Sequence, residues 1–115
     1  ILPIHVGDLD RAATASKNGW TASVTITIHD ANHAAVAGAV ASGTWSGGFS
    51  GSASCTTASD GTCKVTTGNI AKSKSSVTFT VANVTASGAT YTASANHDPD
   101  NESSPAGVGI TIPKP

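Results

Sequence analysis

Strict alternation of apolar and polar residues is the strongest pattern in this chain. From Trp20 to Ile28 every second residue is apolar, and the residues between them are Thr or Ser. Successive side chains of a β-strand point to opposite faces, so this segment predicts a strand with one buried face. The same alternation recurs at residues 77–81 and 108–112.

Five weaker segments also fit short strands, at residues 4–8, 39–45, 50–55, 63–68 and 89–95. Stretches rich in Gly, Ser, Asn and Asp separate them, a spacing typical of β-sandwiches. No window keeps the 3.6-residue period of an amphipathic helix. The pattern therefore predicts an all-β sandwich of about seven or eight short strands, formed by residues 1–115 as one domain.

Composition supports a lean β domain and argues against several kinds of partner. Leu, Ile, Val and Phe make up 20 of the 115 residues, and Ala, Thr, Ser and Gly replace them at a net charge of only −1. The six Lys and Arg residues are scattered, so we expect neither nucleic-acid binding nor membrane insertion. The start lacks a basic leader and a Met, as in a mature or excised piece. Nothing in the sequence demands more than a monomer.

The two cysteines suggest the compartment. Cys55 and Cys63 flank a segment in which Asp60 and Gly61 form a strong turn dipeptide. This spacing predicts a local disulfide across one hairpin, and with it a secreted, extracellular protein. The alternative is a pair of reduced thiols. The spacing matches neither a redox C-x-x-C pair nor a four-ligand zinc site.

Known catalytic motifs are absent from the sequence. It has no G-x-S-x-G elbow and no phosphate-binding loop, so we expect a protein that is not an enzyme. His29 and His33 lie four residues apart, but in a turn after a strand and without the H-E-x-x-H base. We expect both to be solvated, with Asp30 and Asn32 bonding local backbone, and no zinc site.

A sugar-binding platform would require an exposed aromatic side chain. Trp20 and Trp45 suit the core, and Tyr91 lies in a predicted strand. Phe49, in a glycine-rich loop, is the one aromatic residue expected near the surface, which leaves a carbohydrate-binding module open.

A set of turn and strand positions within residues 20–95 forms a recognisable pattern: Asp30, Val36, Gly38, Val40, Thr57 and Gly61. This pattern resembles the bacterial immunoglobulin-like modules of invasin-type adhesins and secreted hydrolases. Two departures are Ala35, where such modules often carry a proline, and the local cysteine pair. The segments "HVGDLD" and "NHDPDNESS" look like the ends of modules that follow the catalytic domains of secreted subtilisin-like proteases.

The resemblance implies that the predicted sandwich is an immunoglobulin-like β-sandwich of about seven or eight short strands. It also implies a non-catalytic, C-terminal accessory domain whose partner is a catalytic domain of the same parent chain. Such a domain acts as a spacer or binds a protein or polysaccharide substrate or surface. An adhesin-type domain that recognises another protein is a further alternative.

Acidic residues near both ends suggest a structural calcium site. Asp8 and Asp10 alternate in one segment, and Asp98 and Asp100 alternate in another. In an immunoglobulin-like sandwich the first strand commonly runs parallel to the last main strand, which would bring the four carboxylates together. Calcium prefers such oxygen ligands, and Asn101 or Glu102 would add to the shell. The alternative is two solvated turns.

Overall fold

The computed structural model describes residues 2–92 and 109–115. Within them the chain forms eight strands and no helix. The strands are β1 (Leu2–Ser16), β2 (Gly19–Asp30), β3 (Val40–Gly47), β4 (Gly51–Thr56), β5 (Thr62–Thr66), β6 (Ser76–Thr85), β7 (Ala89–Tyr91) and β8 (Gly109–Pro113). Helices long and apolar enough for a membrane span are not found in this part of the chain.

The strands form two four-stranded sheets that pack as a sandwich. The first sheet has the order β5-β2-β1-β7 and the second the order β4-β3-β6-β8. All pairs are antiparallel except β1 and β7, which run parallel with Ile4 beside Tyr91. The all-β sandwich is thus confirmed. Its first strand runs parallel to β7, which lies within the predicted strand segment 89–95.

Alternation along the strands builds the core between the sheets. In β2 the burial of side chains follows the sequence pattern from Ala22 to Ile28, and in β6 from Val77 to Val81. Trp20 and Trp45 are both buried, as expected, and Trp45 packs against Phe79 with ring centroids 4.8 Å apart. The largest wholly buried side chains are Trp20, Phe79, Ile4, Leu9, Ile26, Ile28, Ile70, Ile110 and Ile112.

Strand β1 is longer than the sequence predicts, because it stays paired with β2 as far as Ser16. A β-bulge at Gly7 shifts the pairing between Val6 and Asp8. One extra residue reverses which positions face inward, so Val6 and Leu9 both reach the core. The predicted end of this strand at residue 8 is therefore wrong.

The disulfide between Cys55 and Cys63 is present, with Cα atoms 5.7 Å apart. Its predicted setting within one hairpin is wrong. Cys55 lies on β4 of the second sheet and Cys63 on β5 of the first. The turn between these strands crosses from one sheet to the other, so the bond joins two edge strands of the sandwich.

Candidate metal centre

Three histidines from three different segments meet on the outside of the first sheet. They are His5 of β1, His29 of β2 and His33 of the turn that follows β2. One ligand nitrogen from each lies within 4.8 Å of the others. Imidazole nitrogens at such a separation are suited to a shared metal ion.

Strand register brings His5 and His29 together. They lie directly opposite each other in the antiparallel β1–β2 pair, where Cβ atoms are roughly 5 Å apart. Their neighbours Ile4 and Ile28 point into the core, so both imidazoles point to the outer face. His5 is nevertheless only 3% exposed, and Nε2 of His5 and Nδ1 of His29 are buried atoms.

The β-bulge provides the space for the His29 ring. A Cβ atom on Gly7 would collide with Nδ1 of His29 and would lie 2.6 Å from its Cε1. Any other residue at this position would push the ring away. Gly7 therefore has two effects, since it forms the bulge and also lets the His29 imidazole lie against the β1 backbone.

A short, hydrogen-bonded turn carries His33 back towards the strands. The carboxylate Oδ1 of Asp30 accepts hydrogen bonds from the N–H groups of Asn32 and Ala34, at 2.8 and 3.0 Å. The N–H of His33 donates to the carbonyl of Asp30, and His33 adopts a left-handed backbone with φ of 61°. Asp30 thus bonds local backbone as expected, and the turn folds His33 over the sheet.

The end of this turn is tied to the neighbouring connection between β4 and β5. The Thr57 hydroxyl donates to the carbonyl of Val36 at 2.6 Å and accepts from the N–H of Ala39 at 2.9 Å. Ile28 donates its N–H to the carbonyl of Gly61, where a Cβ would lie only 2.9 Å from that of Ala35. These contacts fix both flanks of the segment that presents His33.

The three rings lie at similar distances from one another. Their centroids are 5.2 to 6.0 Å apart, and each pair of ring planes is close to perpendicular, at 79° to 89°. A tetrahedral zinc ion with Zn–N bonds of about 2.0–2.1 Å needs nitrogens about 3.4 Å apart. Binding would therefore shorten the widest nitrogen–nitrogen separation that the cluster allows, 4.8 Å, by about 1.4 Å.

Of the four predicted calcium ligands, Asp8 and Asp10 are within the described residues. Asp8 and Asp10 flank the buried Leu9, so their side chains are on the outer face of β1 and half-buried. Asp98 and Asp100 lie outside the described residues, as do Asn101 and Glu102. The four-aspartate site stays a prediction.

Sequence reasoning considered His29 and His33 together and missed His5. The expectation of two solvated turn histidines is right for His33, which is exposed. It is wrong for His29, which is half-buried against the rings of His5 and His33. The signal that could have found His5 was the hairpin itself. The turn at Lys17 and Asn18 pairs β1 with β2. The bulge then shifts their register by one residue, and no local sequence pattern reveals this shift.

Comparison with known proteins does not add to this geometry. No known protein family, curated protein or solved structure matches the chain. The resemblance to bacterial immunoglobulin-like modules accordingly stays a prediction.

Proposed function

We propose that this chain is a non-catalytic, extracellular module that binds one transition-metal ion through His5, His29 and His33. The observation that carries the proposal is the convergence of three imidazole nitrogens within 4.8 Å. Imidazole ligands suit zinc, copper and nickel, whereas calcium and magnesium prefer oxygen. The expected ligand is therefore a borderline divalent ion such as Zn²⁺.

Binding at this position would tie three parts of the chain to one another. His5 is near the start of β1, His29 is near the end of β2, and His33 lies in the turn towards β3. A ligand that binds only the folded state stabilises it by about 2.7 kcal/mol at one hundred times its dissociation constant. For a domain of this size that corresponds to a rise in the thermal midpoint of roughly 10 °C.

Calorimetric titration with zinc chloride tests the site. The wild-type protein should bind one zinc ion, and His5→Ala, His29→Ala and His33→Ala should each weaken binding by about tenfold or more. Asn32→Ala is the matched control, because Asn32 is an exposed residue of the same turn. Equal affinity in the wild type and all three histidine variants would overturn the proposal.

The setting we propose is a secreted bacterial enzyme, with a catalytic domain of the same parent chain as the partner. The Cys55–Cys63 disulfide supports an oxidising compartment. The module would act as a spacer or would bind a substrate or surface. Fusing it to a secreted peptidase domain should change retention on insoluble substrate without changing the turnover of a small soluble peptide; unchanged retention would leave only the spacer role.

The carbohydrate-binding alternative now rests on fewer residues. Trp20 and Trp45 are buried, and Phe49 is half-buried and packs against the core. Retention on insoluble polysaccharide that is lost in Phe49→Ala, with the fold intact, is the result that would favour it.

A structural calcium site remains a separate proposal, and the parallel β1–β7 pair supports it. We expect a chelator to lower the thermal midpoint of the calcium-saturated protein by several degrees. Asp8→Ala and Asp98→Ala should each remove that difference. No change on chelation, with loss of calcium verified, would rule the site out.

A further inference from the structure

We propose that the metal ion held by the three histidines keeps one coordination position open to solvent, which takes an exchangeable small donor such as water or an azole. This inference rests on the proposed metal site. The site would then bind a second ligand after the metal. This molecule coordinates the ion through a single nitrogen or oxygen atom.

The first argument is the number of donors. Structural zinc sites are closed by four protein ligands, whereas sites with three protein ligands hold water or substrate in the fourth position. Among the described residues, the cluster around His5, His29 and His33 contains three donors. Both cysteines are used in the disulfide, and Asp30 Oδ1 accepts two backbone hydrogen bonds of its own turn. Asp8, half-buried on the same outer face, is not a member of the cluster.

The second argument is a gradient of exposure across the cluster. His5 is buried against the sheet, His29 is half-buried, and His33 is exposed. Strands β1 and β2 would cover the ion on the side of the sheet, because His5 and His29 project from these adjacent strands. The side that faces away from the sheet, next to His33, is where a further ligand can approach.

The third argument is geometric. The nitrogens of the three rings can be as far apart as 4.8 Å, and a tetrahedral ion needs about 3.4 Å. Of the three ligands, His33 is the one on a short turn rather than on a strand, so its ring has the most freedom to move inward. Three nitrogens drawn in from one side form a cap, which leaves the opposite side of the ion for an incoming donor.

Cobalt(II) substitution with free imidazole as the probe tests the inference. Cobalt takes zinc sites and has visible absorption that reports its ligands. The protein is loaded with one equivalent of Co²⁺, binding is confirmed by calorimetry, and imidazole is added while the spectrum is recorded. We expect a saturable spectral change that fits one imidazole per cobalt, with cobalt still bound to the protein after gel filtration.

His97→Ala distinguishes an open position from one filled by the remaining histidine, which lies outside the described residues. The variant should give the wild-type cobalt spectrum and the same imidazole titration. A cobalt spectrum that ignores imidazole in the wild type but responds in His97→Ala would overturn the open position and leave the three-histidine site standing.

The other contrary results are also distinguishable. A spectrum insensitive to imidazole in both proteins, with cobalt bound, overturns the open position alone. Failure of cobalt and zinc to bind the wild-type protein overturns both this inference and the proposed function.

Discussion

The two sheets have similar inner faces and very different outer faces. The four strands of the second sheet contain no histidine and no charged residue, and their outward positions are mostly Ser and Thr. The strands of the first sheet carry His5, Asp8, Asp10, Arg11, His29, Asp30 and Lys64. Ser and Thr suit a pleated sheet surface but offer few ionisable or metal-ligating groups. We therefore expect the binding function on the first sheet.

The inner faces provide the largest predicted effect, and it should be alike for both sheets. Ile26 of the first sheet and Phe79 of the second are wholly buried. Ile26→Ala should lower the free energy of unfolding by about 2–5 kcal/mol and Phe79→Ala by about 3–5 kcal/mol, measured by urea denaturation.

Thr80→Ala is the control on the outer face of the second sheet, and it should change the free energy of unfolding by at most about 0.5 kcal/mol. If either core variant lost as little as this control, the two sheets would not share one core.

The disulfide is the covalent link between the two sheets at one edge. Its loop closes only eight residues of sequence separation, which corresponds to about 2–3 kcal/mol by the chain-entropy argument. The double variant Cys55→Ser, Cys63→Ser should be less stable than the oxidised wild type by that amount. Adding reductant should destabilise the wild type and leave the variant unchanged; a variant as stable as the oxidised protein would refute the link's contribution.

Gly7 tests the comparison of the two outer faces, because its bulge makes β1 of the first sheet depart from a regular strand. In Gly7→Ala the new Cβ would occupy the place of the His29 ring, so zinc affinity should fall by about 10- to 100-fold. Gly68→Ala is the matched control, because a Cβ there would make only ordinary contacts with Phe49, at 3.6 Å. Calorimetry on folded protein checks both, and unchanged affinity in Gly7→Ala would show that His29 is not held by this contact.

The smallest predicted effect is a pH dependence at the turn between the sheets. Hydrogen bonds from the Thr62 hydroxyl and N–H to the Asp60 carboxylate lower the pKa of that carboxyl below its usual 3.8. A carboxyl with a lowered pKa in the folded state stabilises it above the unfolded pKa, and this contribution is lost as pH falls through the folded value.

Asp60→Asn should therefore be slightly less stable than the wild type at about pH 6, and the difference should vanish at about pH 2. Urea denaturation at both pH values measures it. If the variant and the wild type differed in free energy of unfolding by the same amount at both pH values, the charge of Asp60 would make no contribution to the difference.

Much of the fold could be predicted because alternation is a local property. The pattern from Trp20 to Ile28 gives strand β2 and its buried face directly, and the eight strands follow from similar segments. The crossing of the disulfide between sheets could not be predicted, because a turn sequence such as Asp60-Gly61 fits a hairpin and a sheet-to-sheet connection equally well.

The histidine cluster lay beyond sequence reasoning for a different reason. His5 and His29 are 24 positions apart, and their meeting depends on a register that the bulge at Gly7 alters. His33 joins them because Asp30 closes its turn locally and Thr57, 21 residues beyond Val36, anchors the end of that turn. The second of these is a tertiary contact that no local pattern predicts. Each residue taken alone looks like an ordinary polar position of a β protein.

The measurement that tests the metal site most directly is the thermal midpoint of the wild type and of His29→Ala, each with zinc and with chelator. At about one hundred times the wild-type dissociation constant, zinc should raise the wild-type midpoint by roughly 10 °C. It should raise the midpoint of the variant, whose affinity is at least about tenfold weaker, by no more than about 5 °C. An equal rise in both proteins, or none in the wild type, would contradict the three-histidine site.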